Sequence, residues 1–265
     1  MNTNLNIYCV TNKRVEHLEK TQLKLISVGK ENLPNFYQKC NFDDNIFYKE
    51  QYYSELTFHY WYWKNILDIK SDDWVGFCQK RRIWTQQEIP SNKIKKEDID
   101  KYILNKSIKE WENHDAIICK PINVFPVKRM KMIKRGFRSI IRNPSILYDN
   151  SKHSVLLHFD MHHGYGNLEK AIKLMNIKDK NDFYDYVKKS TKFNPHIMYI
   201  SKSKILNEWF TDLFDWLEKC ETVFDKRKLV DYDTGRLLAY LAERYASFWF
   251  KKYTNFYEQS WAVIE

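Results

Sequence analysis

Three short apolar runs, each stopped by polar residues or proline, punctuate the first half of the chain: "NIYCVTNK" (6–13), "DDWVGFCQ" (72–79) and "HDAIICKPI" (114–122). Each reads as a β-strand bounded by turn residues. A further apolar pulse, "LKLISVG" (23–29), follows the first. In "YYSELTFHYWYWKNIL" (52–67), Leu56, Tyr60, Trp63 and Leu67 recur with the period of a helix burying one face. Ser54 is its expected N-cap, with Glu55 and Thr57 in the first turn. Residues 85–113 are charged and expected to be mostly helical. Strands alternating with helices indicate an α/β fold around a central mixed, mainly parallel sheet. From "NLEKAIKLM" (167–175) the pattern turns mainly helical, interrupted by the strand-like "HIMYIS" (196–201) and closing with helices over 203–221 and 233–253.

With 265 residues, one domain is the expected organisation. Aromatic residues make up 16% of the chain and only 6 residues are glycine, which fits a packed globule with few built-in kinks. The net charge of +10 favours anionic partners such as phosphates, nucleic acid or acidic lipid. The five cysteines are scattered, with no Cys-x-x-Cys pair, so neither a zinc site nor a disulfide framework is indicated and a reducing cytoplasm fits best. No signal-peptide pattern opens the chain and no long apolar window follows, so neither secretion by that route nor membrane integration is expected. Phosphate-loop, G-x-G-x-x-G and G-x-S-x-G motifs are absent, which removes kinase-like, Rossmann-dehydrogenase and α/β-hydrolase readings.

Four stretches carry candidate chemistry. "WVGFCQKRR" (74–82) runs from an apolar strand into Lys80, Arg81 and Arg82. Guanidinium groups grip phosphate oxygens bidentately, and ligands of open α/β sheets gather at the carboxyl ends of strands. A solvated loop paired with neighbouring acids is the plainer alternative. "HFDMHHGYG" (158–166) holds His158, Asp160, His162 and His163; read as a strand, it would bring His158, Asp160 and His162 to one side. That set suits a divalent metal, or an acceptor site in which Asp160 takes a proton from a sugar hydroxyl, or a simple polar loop. "LLAYLAERYASFWF" (237–250) sets Glu243 and Arg244 in an apolar helix, as a structural pair or with Glu243 as a catalytic base. "VKRMKMIKRGFRSIIRNP" (127–144) holds seven cations and no acid, interleaved with Met130, Met132, Ile133, Phe137, Ile140 and Ile141. It reads as a membrane-surface helix, with a nucleic-acid-binding arm disfavoured by the absence of any recognition motif and a flexible loop as the alternative.

Taken in order, "IYCVTNK", "ISVG", "YSELTFHYWYWKN", "WVGFCQKRRIW", "NPHIMYISKSKILNEWFTDLFDWLE" and "GRLLAYLAERYASFWF" resemble a family of bacterial glycosyltransferases that make capsular polysaccharide and O-antigen, long catalogued as a domain of unknown function. The resemblance runs from residue 7 to about 250. It implies a GT-A-like fold, a nucleotide-diphosphate sugar donor, expected to be a UDP-sugar, and transfer to a growing surface glycan or lipid-linked acceptor. By that resemblance Thr11, Asn12, Lys13, Val28 and Gly29 surround the base and ribose. Glu55 and Thr57 face the same cleft, Arg81 and Arg82 with Lys80 lie at the diphosphate, and Glu243 and Arg244 match a late Glu-Arg pair.

Two departures stand out. Gln79 and Lys80 occupy the place where the family usually has His-Tyr. The Asp-x-Asp pairs, Asp98–Asp100 and Asp231–Asp233, fall outside strand ends, so no well-placed pair holds the Mn or Mg ion usual for such folds. The expectation is therefore a single domain, 1–265, with a nucleotide-sugar-binding half (1–125), a basic amphipathic segment (126–150) and an acceptor-side half (151–265). Arg81 and Arg82 would stabilise the leaving group without a metal. Asp160 and Glu243 are the candidate bases, and His158, His162, His163 and Arg244 would contact the acceptor. The protein is expected in the cytoplasm, peripheral on the inner membrane face. A non-catalytic nucleic-acid or phosphoglycan binding protein is the alternative.

Overall fold

The computed structural model describes residues 4–124, 129–225 and 232–265; the first residues of the basic segment and Asp231 lie outside them. The chain forms two compact units. The first comprises the residues up to Lys120, Pro195–Asp212 and Trp249–Glu265, and the second comprises Pro121–Asn194 and Leu213–Phe248.

The first unit is built on one ten-stranded sheet. Its strands are β1 (Leu5–Thr11), β2 (Lys24–Ser27), β3 (Gln38–Lys39), β4 (Trp74–Gln79), β5 (Arg82–Trp84), β6 (Lys93–Ile94) and β7 (Ala116–Cys119). After β8 (Ile122–Asn123) and β9 (Lys192–Phe193), which pair in the second unit, come β10 (Tyr199–Lys202), β11 (Phe256–Gln259) and β12 (Trp261–Ile264). The order is β11-β7-β10-β4-β1-β2-β3, with β12 joining β5 and β6. β1 runs parallel to β2 and β4, whereas β10 is antiparallel to β4 and β7, so the sheet is mixed and mainly parallel. Ile7–Thr11 and Trp74–Cys78 are buried without interruption. That is why these runs read as continuous rather than alternating: strands covered on both faces need apolar residues at every position.

The 52–67 helix is broken in two, α1 (Glu50–Tyr53) and α2 (Leu56–Asn65). Ser54 is not an N-cap. It takes a left-handed φ of 52°, closes α1 onto the Glu50 carbonyl at 2.7 Å, and accepts at its own carbonyl from the Thr57 hydroxyl at 2.8 Å. The buried stripe also differs: Leu56, Phe58, Trp61 and Tyr62 face the core, while Tyr60, Trp63 and Leu67 are half-buried. Aromatic residues surround this helix, so its period alone does not choose a face; packing does, with Phe58 and Tyr62 set 5.3 and 5.2 Å from Tyr8 on β1. His59, fully buried against Phe77, has its pKa pushed down to about 3 by burial and meets the Tyr199 hydroxyl at 2.7 Å.

Residues 85–113 are not mostly helical. They contain the four-residue α3 (Ile99–Tyr102), two 3-10 turns and the short strand β6, anchored by singly buried Ile94, Leu104 and Trp111. The segment is charged but has no apolar stripe, so it follows the surface as loops.

The second unit holds α4 (Arg129–Arg135), α5 (Phe137–Arg142), α6 (Val155–His163), α7 (Asn167–Ile172) and α8 (Ile177–Lys189). It also includes the latter part of α9 (Ser203–Val223), α10 (Tyr232–Gly235) and most of α11 (Leu237–Tyr253). Phe183 packs against Trp216, Tyr245 and Phe248, and the Tyr245 hydroxyl donates to buried Asp179 at 2.7 Å. "HFDMHHGYG" is therefore not a strand: α6 is capped by the Ser154 hydroxyl, which accepts from Leu157 N, and ends at Gly164 with φ 97°.

Gly76, in the middle of β4, is where the sheet is tightest. A Cβ there would stand 2.7 Å from Ile200 Cγ1 on β10 and 3.4 Å from Ile7 Cγ1 on β1. Gly76→Ala is expected to lower unfolding free energy by about 1–3 kcal/mol through overpacking. Urea denaturation would read this as a lower midpoint with an unchanged slope.

Candidate functional site

The chain runs from β1 outward through β2 and β3, then returns to place β4 on the other side of β1. This reversal creates a crevice at the carboxyl ends of β1 and β4, the position where open α/β sheets bind ligands. The register sets Val10 beside Gln79 and Thr11 beside Ser27, so three parallel strands stop together. Their tips carry Thr11–Lys13, Val28–Gly29 and Gln79–Arg82.

The Thr11 hydroxyl and Lys13 backbone close a local turn, with Lys13 N donating to Thr11 Oγ1 at 3.1 Å, while Val28 N donates to the Thr11 carbonyl at 2.9 Å. Gly29, at φ 84°, passes so close to Asn12 that a Cβ would lie 3.2 Å from the Asn12 Cβ. Lys80 Nζ reaches back from β4 and donates to Asn12 Oδ1, tying the two tips together. Gln79 is the hub of a polar chain: its amide donates to Glu55 Oε1 and, at 2.8 Å, to the His196 carbonyl, while its oxygen accepts from Arg82 Nη1 at 3.2 Å. Arg82 Nε is buried and makes no hydrogen bond among the described residues. Arg81 is exposed in the two-residue link between β4 and β5, and its carbonyl accepts from Ile264 N at 2.9 Å. Cations that the sequence placed beyond a strand thus sit on a hairpin locked by β12. Thr57 does not reach this edge: it is fully buried.

In the second unit, the change from strand to helix separates residues expected to converge. His158 and His162, one turn apart, stack at 4.4 Å. His163 stacks on Tyr240 at 3.7 Å. Arg244 is buried over the Phe193 ring at 3.7 Å, donates to His158 Nδ1 at 3.3 Å and pairs with Glu243. A cation this deep persists only when paired and hydrogen-bonded, as it is here.

Asp160 projects elsewhere, into an open cleft of about 670 Å³ lined also by Ser139, Arg142, Tyr165, Glu169 and Tyr184. Its carboxylate accepts from Gly166 N at 3.0 Å. Burial, opposed by that hydrogen bond, pushes its pKa up to about 6. Among the described residues no three His, Cys, Asp or Glu side chains gather as metal ligands. Asp98 pairs with Lys101, and Asp100 lines a hollow beside Leu5, at the opposite end of β1 from the cation-bearing tips. Among the described residues, Asp98 and Asp100 do not stand at the carboxyl edge.

A family model described as "Domain of unknown function (DUF4422)" matches residues 6–255. The chain belongs to this family. No curated protein matches it. Among solved structures, it superimposes on the apo structure of the WbbM bifunctional glycosyltransferase with a TM-score of 0.71 at 17% identity, over 99% of this chain and 46% of that one. The chain thus spans less than half of that protein's length, and the likeness is one of fold, an α/β architecture of GT-A-like type.

In this DUF4422 chain, Glu55, expected at the cleft, meets Gln79 across 24 residues, whereas the His196 carbonyl, 117 residues from Gln79, was not among the expected site residues. The walls of the Asp160 cleft come from separate helices and turns, a convergence no local pattern announces.

The raised pKa of Asp160 has a consequence for stability. The folded carboxyl keeps its proton up to about pH 6, whereas an unfolded one releases it near pH 4. Its favourable contribution is therefore complete below about pH 4 and is lost as pH rises through 6. Asp160→Asn is expected to remove this slope and gain up to about 3 kcal/mol relative to wild type at pH 7. Denaturant midpoints measured between pH 4 and 7 check it; parallel wild-type and variant curves would contradict the assignment.

Proposed function

We propose that this protein is a glycosyltransferase that moves a sugar from a nucleoside-diphosphate donor, a UDP-sugar being the expected one, to a growing surface glycan. The acceptor is carried on a lipid, so the enzyme works as a peripheral protein at the inner face of the cytoplasmic membrane. No helix among the described residues is long and apolar enough to cross a membrane. The observation that carries the reading is the cation cluster at the switch point: Lys80 tied to Asn12, Arg82 tied to Gln79, and Arg81 beside them. The GT-A-like fold supports it.

In such a transfer, the bond from the sugar's anomeric carbon to the diphosphate breaks as the acceptor oxygen attacks. Negative charge grows on the departing diphosphate. Fixed cations stabilise it without reorganising, and more strongly where water is excluded. The orphaned Arg82 Nε supports this role, because a buried donor without a partner is costly unless a ligand satisfies it. Asn12, Lys13, Val28 and Gly29 are the candidates for the base and ribose, with Thr11 shaping their turn. The acceptor hydroxyl must lose its proton, and Asp160 is the better-supported base: it opens on a cleft, and a carboxyl titrating near 6 is largely ionised yet basic enough at neutral pH. Glu243 is held by Arg244. Arg244 packs with His158, and His158 with His162, while His163 stacks on Tyr240.

Thermal shift against UDP, GDP and short oligonucleotides tests the reading. Selective stabilisation by a nucleoside diphosphate is expected, about 2.7 kcal/mol at a hundredfold excess over Kd. Arg82→Ala should lower kcat by about 100-fold, the usual effect of removing one preorganised donor to a developing anion. Stabilisation by oligonucleotides alone would instead favour the non-catalytic binding reading. Activity abolished by EDTA and restored by manganese would replace the cation clamp with a metal.

A further inference from the structure

α4 and α5 follow one another with a break at Gly136, whose φ of −106° and ψ of 15° lie outside the helical region. Gly136 N closes α4 on the Met132 carbonyl at 2.7 Å, and the Gly136 carbonyl accepts from Ile140 N at 2.9 Å at the start of α5. Gly136 is required there: a Cβ would meet the Met132 carbonyl oxygen at 2.8 Å and Met161 Cγ on α6 at 3.2 Å. The inward face is accounted for, because Met132 is buried in a cluster with Ile146, Leu157 and Met161, against which Ile140 packs.

The outward face is not what a solvated helix carries. Met130 and Ile133 share one face of α4, and Phe137 and Ile141 share one face of α5. They are 78%, 48%, 60% and 65% exposed. Lys134, Arg135, Arg138 and Arg142 are exposed beside them, and no acid occurs in the segment. A helix pair with one apolar face buried in its own core, exposed apolar residues on each helix and cations beside them has the layout of an element lying in a lipid–water interface.

We propose that Met130, Ile133, Phe137 and Ile141 dock on an anionic bilayer, with the apolar side chains entering the acyl boundary and Lys134 and Arg138 meeting phosphate headgroups. Charge complementarity selects this occupant. A second copy of the chain would oppose cation to cation, and nucleic acid would satisfy the cations while leaving the apolar residues in water. α5 also supplies Ser139 and Arg142 to the cleft that holds Asp160, so docking brings that cleft beside the lipid headgroups. The inference rests on the proposed function only in naming the inner leaflet and a lipid-linked acceptor.

Co-sedimentation with vesicles of phosphatidylglycerol mixed with phosphatidylcholine, against phosphatidylcholine alone, tests it. Wild-type protein is expected to pellet with the anionic vesicles and to be released by salt. Lys134→Glu with Arg138→Glu, and separately Phe137→Ser with Ile141→Ser, should each weaken partitioning on the order of tenfold or more, since surface cations and buried apolar area both contribute. All four side chains are exposed, so both variants should melt with the wild type. Equal pelleting by either folded variant would overturn the proposal, as would a wild type that stays in the supernatant. So would a vesicle-free wild type that is dimeric and becomes monomeric in the Phe137→Ser, Ile141→Ser variant. The nucleoside-diphosphate thermal shift should be unchanged in both variants; its absence in every form would reject the donor reading while leaving the membrane result standing.

Discussion

β4 is held between a parallel neighbour, β1, and an antiparallel one, β10, and the closeness of that packing at Gly76 is the constraint on which the first unit depends. The contact with β1 fixes register, and register decides where the strands stop. Because Val10 pairs with Gln79, the tips of β1 and β4 emerge side by side at the point where the strand order reverses. A shift of one residue would turn Phe77 away from the cluster of Tyr8, Phe58 and Tyr62, since side chains alternate between faces. The aromatic core and the position of the cations are thus two results of one alignment.

Charge at the end of a buried strand carries a desolvation cost, and the structure meets it differently for each cation. Arg81 stays in solvent on the hairpin link. Lys80 leans onto the Asn12 amide, whose oxygen holds its position. Arg82 is linked to a carboxylate only through Gln79. Arg82 and Lys80 are thus held mainly by amide groups, while Arg81 faces solvent. Arg244 in the second unit is the contrasting case, a buried arginine in direct contact with Glu243 and stacked on a ring, which suits a structural cation.

Much of this was legible in the sequence where one physical rule acted alone. The strands β1, β4 and β7 announce themselves because burial on both faces demands unbroken apolar runs, and the cations after β4 are visible because they end such a run. Legibility failed where two rules competed. The alternation in "HFDMHH" satisfies a strand, yet the stretch also fits a capped helix of nine residues. Choosing the strand put Asp160 with His158; the helix sends them apart and pairs His158 with His162. The 52–67 stretch failed for another reason: aromatics on every side of a helix leave its inward face to be chosen by Tyr8 and Phe77, which lie far away in the chain. Cleft walls and the contact between Gln79 and the His196 carbonyl are assembled from distant segments, and a single sequence holds no trace of such meetings.

Gln79 stands where the resemblance of the sequence implies His-Tyr, and its hydrogen bonds show what a carboxamide does there. The site asks this side chain for three things: to accept from Arg82, to donate to Glu55 and to donate to the His196 carbonyl. A neutral imidazole offers one donor and one acceptor, so it would leave one of these groups unmet; a protonated one donates twice but cannot accept from a guanidinium. A carboxamide meets all three at once and does not titrate. Gln79 therefore keeps Glu55 and Arg82 in a fixed relation at any pH where both are charged, and Lys80 stands where that resemblance implies tyrosine. A carboxamide here is a permanent contact in place of a titratable one, and Lys80 beside it adds positive charge at the crevice.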